Sequence, residues 1–262
     1  VLSLFLQAYC KDKDYYQDKR VKIEIISSKH TISKGDTVIF SVRFSLAKGW
    51  HIYWLNPGDA GEPTKISVFT NLPQQDSLTP LYPIPNYSSK AGIVTFDYHT
   101  KVDFPFKLYI PQDFANNTLT LAVKANWLIC REGCIPGKAN FSKKFVLGKR
   151  LPNPQWDTSL LNSISNLTFD TLFASIEFLE EYALLRVAPP SNLEFKSLFF
   201  FPLSEGIFKI EPKLTYTFRE KYILINLPLI QYLWGDKSSI SGILEFTLKN
   251  STKKYFFVKC VY

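Results

Sequence analysis

The chain has 262 residues, enough for one large domain or two small ones, and its 46% hydrophobic and 21% charged residues exclude wholesale disorder. The net charge of +8 comes from scattered lysines, with no Gly-rich phosphate loop ahead of a helix and no Cys/His finger spacing, so it describes a basic surface and not a nucleic-acid partner. No apolar run approaches the roughly 18 to 20 residues of a membrane span.

In chain order, the first segment is Val1 to Cys10, VLSLFLQAYC, followed by the polar KDKDYYQDKR. A short apolar run ahead of a charged stretch predicts the remnant of a signal peptide or a disordered N-terminus over residues 1–19. Cleavage after Ala8 or a relaxed lipoprotein signal ending at Cys10 would fit it. Either form implies export, into a compartment where disulfides are admissible.

Next, Val38, Phe40, Val42, Phe44 and Leu46 alternate with Thr37, Ile39, Ser41, Arg43 and Ser45, the pattern of a half-buried strand. Phe104, Phe106, Leu108 and Ile110 mark a second strand. Leu119, Leu121, Val123, Ala125, Trp127 and Ile129 mark a third that leads into Cys130. Asn56-Pro57-Gly58, Leu72-Pro73, Pro80, Pro83 and Pro85 read as turn or loop chemistry. Lys149 to Pro154 interrupts the pattern, and Asp157 is placed to cap a short helix over Thr158 to Ile164. Strand-like runs resume at 176–187, 197–201, 214–218, 222–227, 243–248 and 255–261. Short strands between proline-rich turns argue for sandwiches. The expectation is therefore an all-β chain of two immunoglobulin-like β-sandwich domains in tandem. The first occupies 20–149, a linker 150–164, and the second domain 165–262.

The four cysteines are Cys10, Cys130, Cys134 and Cys260. The three-residue gap between Cys130 and Cys134 is not a zinc-knuckle spacing, and no second pair completes four ligands. His30, His51 and His99 are dispersed, so no metal or cofactor site is read here. A Cys130–Cys134 bridge would be a poor staple: the loop-entropy relation gives it roughly 2 kcal/mol, against roughly 5 kcal/mol for Cys10–Cys260. Small strained rings are readily reduced, so exchange chemistry is the better use of this pair. The second domain offers Cys260 and no histidine, so it carries no acid–base or nucleophile constellation of its own.

Three phrases then carry a resemblance. Trp127 to Ala139, WLICREGCIPGKA, resembles the cysteine signature of the periplasmic N-terminal region of the DsbD family of thiol:disulfide interchange proteins. It is closest to the ScsB-like branch, associated with suppression of copper sensitivity. Gly49 to Pro63 (GWHIYWLNPGDAGEP) and Phe199 to Ile207 (FFFPLSEGI) resemble two further signatures of that branch, in the same order. The resemblance implies an immunoglobulin-like redox domain followed by a second β domain. In longer relatives a membrane electron conduit and a thioredoxin-like domain come after these. It assigns the intermolecular disulfide to Cys134 and the resolving role to Cys130. It places His51 and Tyr53 beside the cysteines, and Tyr87, Phe96 and Tyr98 on a segment that would cap them; core packing is the alternative reading of each. The implied partners are a thioredoxin-like or membrane donor and exported disulfide-bearing acceptors, in the periplasm. A secreted binding module with an inert bridge and a copper-handling protein, which soft thiolates would permit, are the other readings.

Overall fold

The computed structural model describes residues 14–73, 77–191 and 193–260. It is all-β, with two immunoglobulin-like units. The first comprises the chain up to Leu55 with Glu62–Tyr87 and Phe96–Thr168; the second comprises Asn56–Gly61, Ser88–Thr95 and the chain from Phe169.

Strands β1 (Tyr15–Gln17), β2 (Val21–Ser27), β3 (Thr37–Leu46) and β8 (Lys101–Tyr109) form a four-stranded sheet in the order β1-β2-β3-β8. A six-stranded sheet runs β10 (Cys134–Val146), β9 (Thr118–Cys130), β4 (His51–Gly58), β7 (Ile93–His99) and β6 (Asn86–Lys90), with β5 (Lys65–Thr70) also paired to β9. The alternation predicted for 37–46 puts Val38, Phe40, Val42 and Phe44 at 0% exposure, because every second side chain of a strand points to the same face. Those side chains meet the second sheet edge-on: Phe40 packs on Phe145 with ring centroids 5.2 Å apart, and Phe44 on Trp127 at 5.5 Å. These aromatic contacts between the two sheets fill the sandwich core.

Several expectations change on this frame. The described part of the 1–19 stretch is not disordered: Tyr15–Gln17 pairs with Lys22–Glu24, and Asp18 closes the turn by accepting from the amides of Arg20 and Val21. The signal-peptide run and Cys10 lie outside the described residues. Asn56-Pro57-Gly58, read as a turn, completes β4 instead. Strands β2, β4, β5, β6, β7 and β10 had no predicted counterpart. In β4 and in the first half of β10 buried and open positions do not alternate, which blurs the simple two-residue period.

Residues 150–164, expected as a linker, pack on the first unit. Leu151 N donates to His30 O, Ser27 N to Gln155 O and Asp157 N to Ser27 O, while Leu160 is buried. Asp157 does cap a short 3-10 helix, Thr158–Asn162, accepting from Ser159 N. Its carboxylate also meets Arg43 Nη2 at 2.9 Å, and the same guanidinium forks onto both oxygens of Asp103.

In the second unit, β11 (Thr171–Phe178), β12 (Tyr182–Val187), β13 (Phe195–Pro202), β14 (Thr215–Arg219), β15 (Tyr222–Pro228), β16 (Ser241–Leu248) and β17 (Lys253–Cys260) form one sheet, ordered β13-β16-β17-β11-β12-β15-β14. The expected 176–187 run is a hairpin of two strands, because Leu179 to Glu181 form its turn. Laid flat, seven strands about 4.8 Å apart would hold the edges some 29 Å apart. Yet Phe195 on edge strand β13 lies 5.8 Å from Tyr216 on the opposite edge strand β14, ring to ring. The sheet therefore folds over, enclosing Leu185, Phe200, Ile225, Leu244 and Phe246.

The acid end of the pH range should loosen the 155–163 segment first. Hydrogen bonds from Ser159 and then Arg43 hold the Asp157 carboxyl down from 3.8 to about 2. A depressed carboxylate contributes stability above its unfolded value and loses it as pH falls towards the folded one. Hydrogen exchange should show the Ser27 and Asp157 amides losing protection between those two values. Asp157→Ala should cost about 1 kcal/mol at neutral pH as a lost cap, and should flatten that acid dependence.

Candidate redox site

The site is built on the β9–β10 hairpin. Its register begins at Cys134↔Cys130 and continues without a break to Val146↔Thr118, so the two cysteines are directly opposed at the tip. Arg131, Glu132 and Gly133 form the turn, and the two sulfurs are joined in a disulfide. Behind Cys130 on the same strand, Ile129, Leu128 and Trp127 continue the hairpin. The Trp127 indole covers Gly137, its cross-strand partner, where any Cβ would collide with the ring. A larger residue at 137 would push the hairpin off its aromatic support.

The two cysteines differ in access. Cys130 is 3% exposed, on an inner strand flanked by β10 and β4, whereas Cys134 is exposed on the edge strand. On the β4 side, His51 pairs directly with Cys130 and Ile52 with Ile129, after which β5 takes over the pairing with β9 from Lys65 onward. Tyr53, just past that handover, donates its hydroxyl to Cys130 Sγ at 3.3 Å and stands 4.0 Å from Cys134 Sγ. His51 Nε2 lies 3.3 Å from the same hydroxyl.

The placement of the expected lining residues divides by face. His51 and Tyr53 stand at the cysteines. Phe96 and Tyr98 point the other way, into the core: Phe96 packs on Trp54 at 5.9 Å, and Tyr98 packs on Phe104 and donates to Pro83 O at 2.6 Å. Tyr87 stands 6.4 Å from Phe96, ring to ring, and so belongs with that core group. The alternate residues of β7, Asp97 and His99, take the site face instead. The His51 and His99 rings are 5.5 Å apart, and His99 Nε2 lies 2.9 Å from Asp97 Oδ1. Asp97 was not singled out from the sequence, and His99 was read there only as one of three dispersed histidines, whereas the fold brings it to His51. The matching i, i+2 spacing of His51/Tyr53 and Asp97/His99 was the available signal, but it acquires meaning only once β4 and β7 are neighbours.

Burial lowers the pKa of His51, with Asp97 opposing the shift and His99 adding to it. Burial, then Asp97, raises that of Tyr53, so the phenol keeps its hydrogen. Arg131 lies over Trp50 at 5.6 Å and its stem fills the space above Gly49, whose φ of +81° suits the turn into β4. Among the described residues no group of three or more His, Cys, Asp or Glu is arranged to hold a metal ion, and no helix is long and apolar enough to cross a membrane.

The rest of the Gly49–Pro63 phrase serves the second unit. Asn56 Nδ2 donates to the carbonyls of Pro202 and Ser204, at 2.9 and 3.1 Å. Asp59 exchanges two bonds with Val94, through its amide and its carboxylate. Two of the three phrases singled out in the sequence are thus joined by one side chain. The third cysteine described, Cys260, is buried in the second unit, and burial pushes its thiol up to about 11.

Fold and site together define an immunoglobulin-like β domain with a half-exposed Cys-x3-Cys disulfide at a hairpin tip. Residues 23–145 match the family model described as thiol:disulfide interchange protein DsbD, N-terminal. The matched stretch contains the whole site, from His51 to Cys134. Among solved structures, the N-terminal periplasmic domain of ScsB from Proteus mirabilis superposes with a TM-score of 0.63 at 15% identity, covering 94% of this chain and 95% of that one. The likeness therefore extends through both units. The sporulation control protein Spo0M from Bacillus subtilis, at 13% identity and covering 92% of this chain and 91% of its own, reaches a TM-score of only 0.23. No curated protein matches in sequence.

These environments order the thiols by reactivity. After mild reduction, an alkylating reagent should label Cys134 first, Cys130 much more slowly, and Cys260 only on unfolding. Peptide mass mapping over a time course reads the order; equal labelling of Cys130 and Cys134 would contradict the burial difference.

Proposed function

We propose that this chain performs thiol:disulfide exchange outside the cytoplasm, passing electrons to exported disulfide-bearing proteins. The observation that carries this reading is the unequal access of one bridged pair. An exposed Cys134 sulfur is open to a partner, while a buried Cys130 sulfur is held within reach to close on it. In the reductive direction the Cys134 thiolate attacks a partner disulfide, giving a mixed disulfide and releasing one partner thiol. Cys130 then attacks Cys134, restoring the intramolecular bridge and releasing the second thiol. The pair is oxidised by two electrons and the partner reduced by two. A thioredoxin-like protein or a membrane electron conduit would return the pair to the dithiol, in the periplasm. The family match over 23–145 supports this chemistry, and the raised pKa of buried Cys260 supports leaving that thiol out of it.

Single variants test the roles. Cys130→Ser should accumulate mixed disulfides through Cys134, Cys134→Ser should abolish both trapping and turnover, and Cys260→Ser should leave exchange intact. The fold should survive each change at the hairpin, because a bridge this short contributes only roughly 2 kcal/mol by loop entropy. Mass spectrometry of adducts from cells reads the result. Adducts through Cys130 would reverse the roles. A bridge that stays closed against dithiol reductants, with no adducts, would leave an inert binding module.

A further inference from the structure

A buried thiol that must attack a mixed disulfide has to lose its proton, because the thiolate is the nucleophile. The groups beside Cys130 form a series with one end in the core and the other in water. Tyr53 Oη lies 3.3 Å from Cys130 Sγ, and His51 Nε2 lies 3.3 Å from Tyr53 Oη. Beyond His51 stands the His99 ring, which is anchored on Asp97. The Asp97 side chain is 2% exposed and that of His99 45%, so the series leads from a buried sulfur to solvent.

We propose that this series receives the proton of Cys130 when Cys130 resolves a mixed disulfide. The proposal rests on the resolving role given to Cys130 above. The Cys130 thiol donates to Tyr53 Oη while the Tyr53 hydroxyl donates to His51 Nε2. The Cys130 sulfur forms its bond to the Cys134 sulfur, and the bond between Cys134 and the partner's sulfur breaks. The partner leaves as a thiolate and takes its proton from water. The proton lost by Cys130 rests on His51 and returns to solvent on the side of His99. Tyr53 touches the reacting sulfur. His51 acts through it and is a positioning residue, with His99 and Asp97 behind it.

The local charges agree with the direction of transfer. His51 is faced by Tyr53 on its own strand, by Asp97 and His99 on β7 and by Cys130 on β9, with Cys134 on β10 beyond the Tyr53 hydroxyl, while Arg131 is engaged with Trp50. Burial, with His99 in support, holds the His51 imidazole neutral to a lower pH than usual, although Asp97 opposes it. A neutral ring can accept; a charged one cannot. Ring closure should therefore slow as pH falls through the titration of His51.

Stopped-flow reaction of the reduced full chain with an aromatic disulfide that releases a coloured thiolate reads this step directly. Attack by Cys134 releases one equivalent, and closure by Cys130 releases a second in a separate phase. His51→Gln should slow the second phase by about 100-fold, at the lower end of general acid–base effects, and should remove its inflection with pH. Tyr53→Phe should slow the same phase. His99→Gln, at a half-exposed position that does not test the fold, should slow it in dilute buffer and recover with added imidazole. A second phase whose rate and pH profile are unchanged in both histidine variants would overturn the proposal. Release of a single equivalent by the unmutated chain would instead overturn the resolving role itself, and the proposal with it.

Discussion

The cross-strand pairing of Cys130 with Cys134 is the constraint on which the rest of the site depends. Antiparallel neighbours bring their side chains to the same face at close range, so two cysteines opposed at a hairpin tip can bridge without distorting the strands behind them. The sheet then makes the two sulfurs unequal. Strand β9 has neighbours on both sides and β10 lies at the edge, so one sulfur is covered and the other open. A symmetric pair would give a partner no preferred point of attack. Here the order of the β strands makes the two differ in access.

One strand, β4, shares its residues among three tasks. His51 and Tyr53 face the sulfurs, Ile52 and Trp54 fill the core, and Asn56 bonds the Pro202 and Ser204 carbonyls of the second unit. Strand β7 repeats the division, with Asp97 and His99 on the site face and Phe96 and Tyr98 in the core. Because alternate side chains are committed in opposite directions, a one-residue slip of either strand would exchange site and core residues. Gly58 fits the same scheme: with φ at +89°, it sits where a Cβ would strike the Val94 carbonyl, so the phrase cannot exchange it for a larger residue.

Much of this was legible in the residues themselves. The alternation over 37–46 and 119–129, the cap at Asp157 and the two-unit plan were all readable, because each depends on a local period or a local hydrogen bond. The small ring of Cys130 and Cys134 pointed to exchange chemistry over a staple, and the resemblance carried by the Gly49–Pro63 phrase implied His51 and Tyr53 beside it, where the structure has them. Prolines mark a break in periodicity equally well whether the chain leaves a domain or packs back on it, as residues 150–164 do here. The groups that hold the segment, among them Arg43, Ser27 and His30, all lie more than a hundred positions away from it in sequence.

By itself, then, the sequence determined the fold class and the close cysteine pair, because those rest on spacing along one chain, while the placing of His51 and Tyr53 beside the pair came from the family resemblance. Only the tertiary structure decided which sulfur is buried, that Asp97 and His99 join His51 while Phe96 and Tyr98 do not, and that Asn56 belongs to the second unit. Each of these depends on which strands lie side by side, and strand order is set by packing between segments distant in sequence. A two-residue period says that two side chains share a face; it does not say what that face will meet.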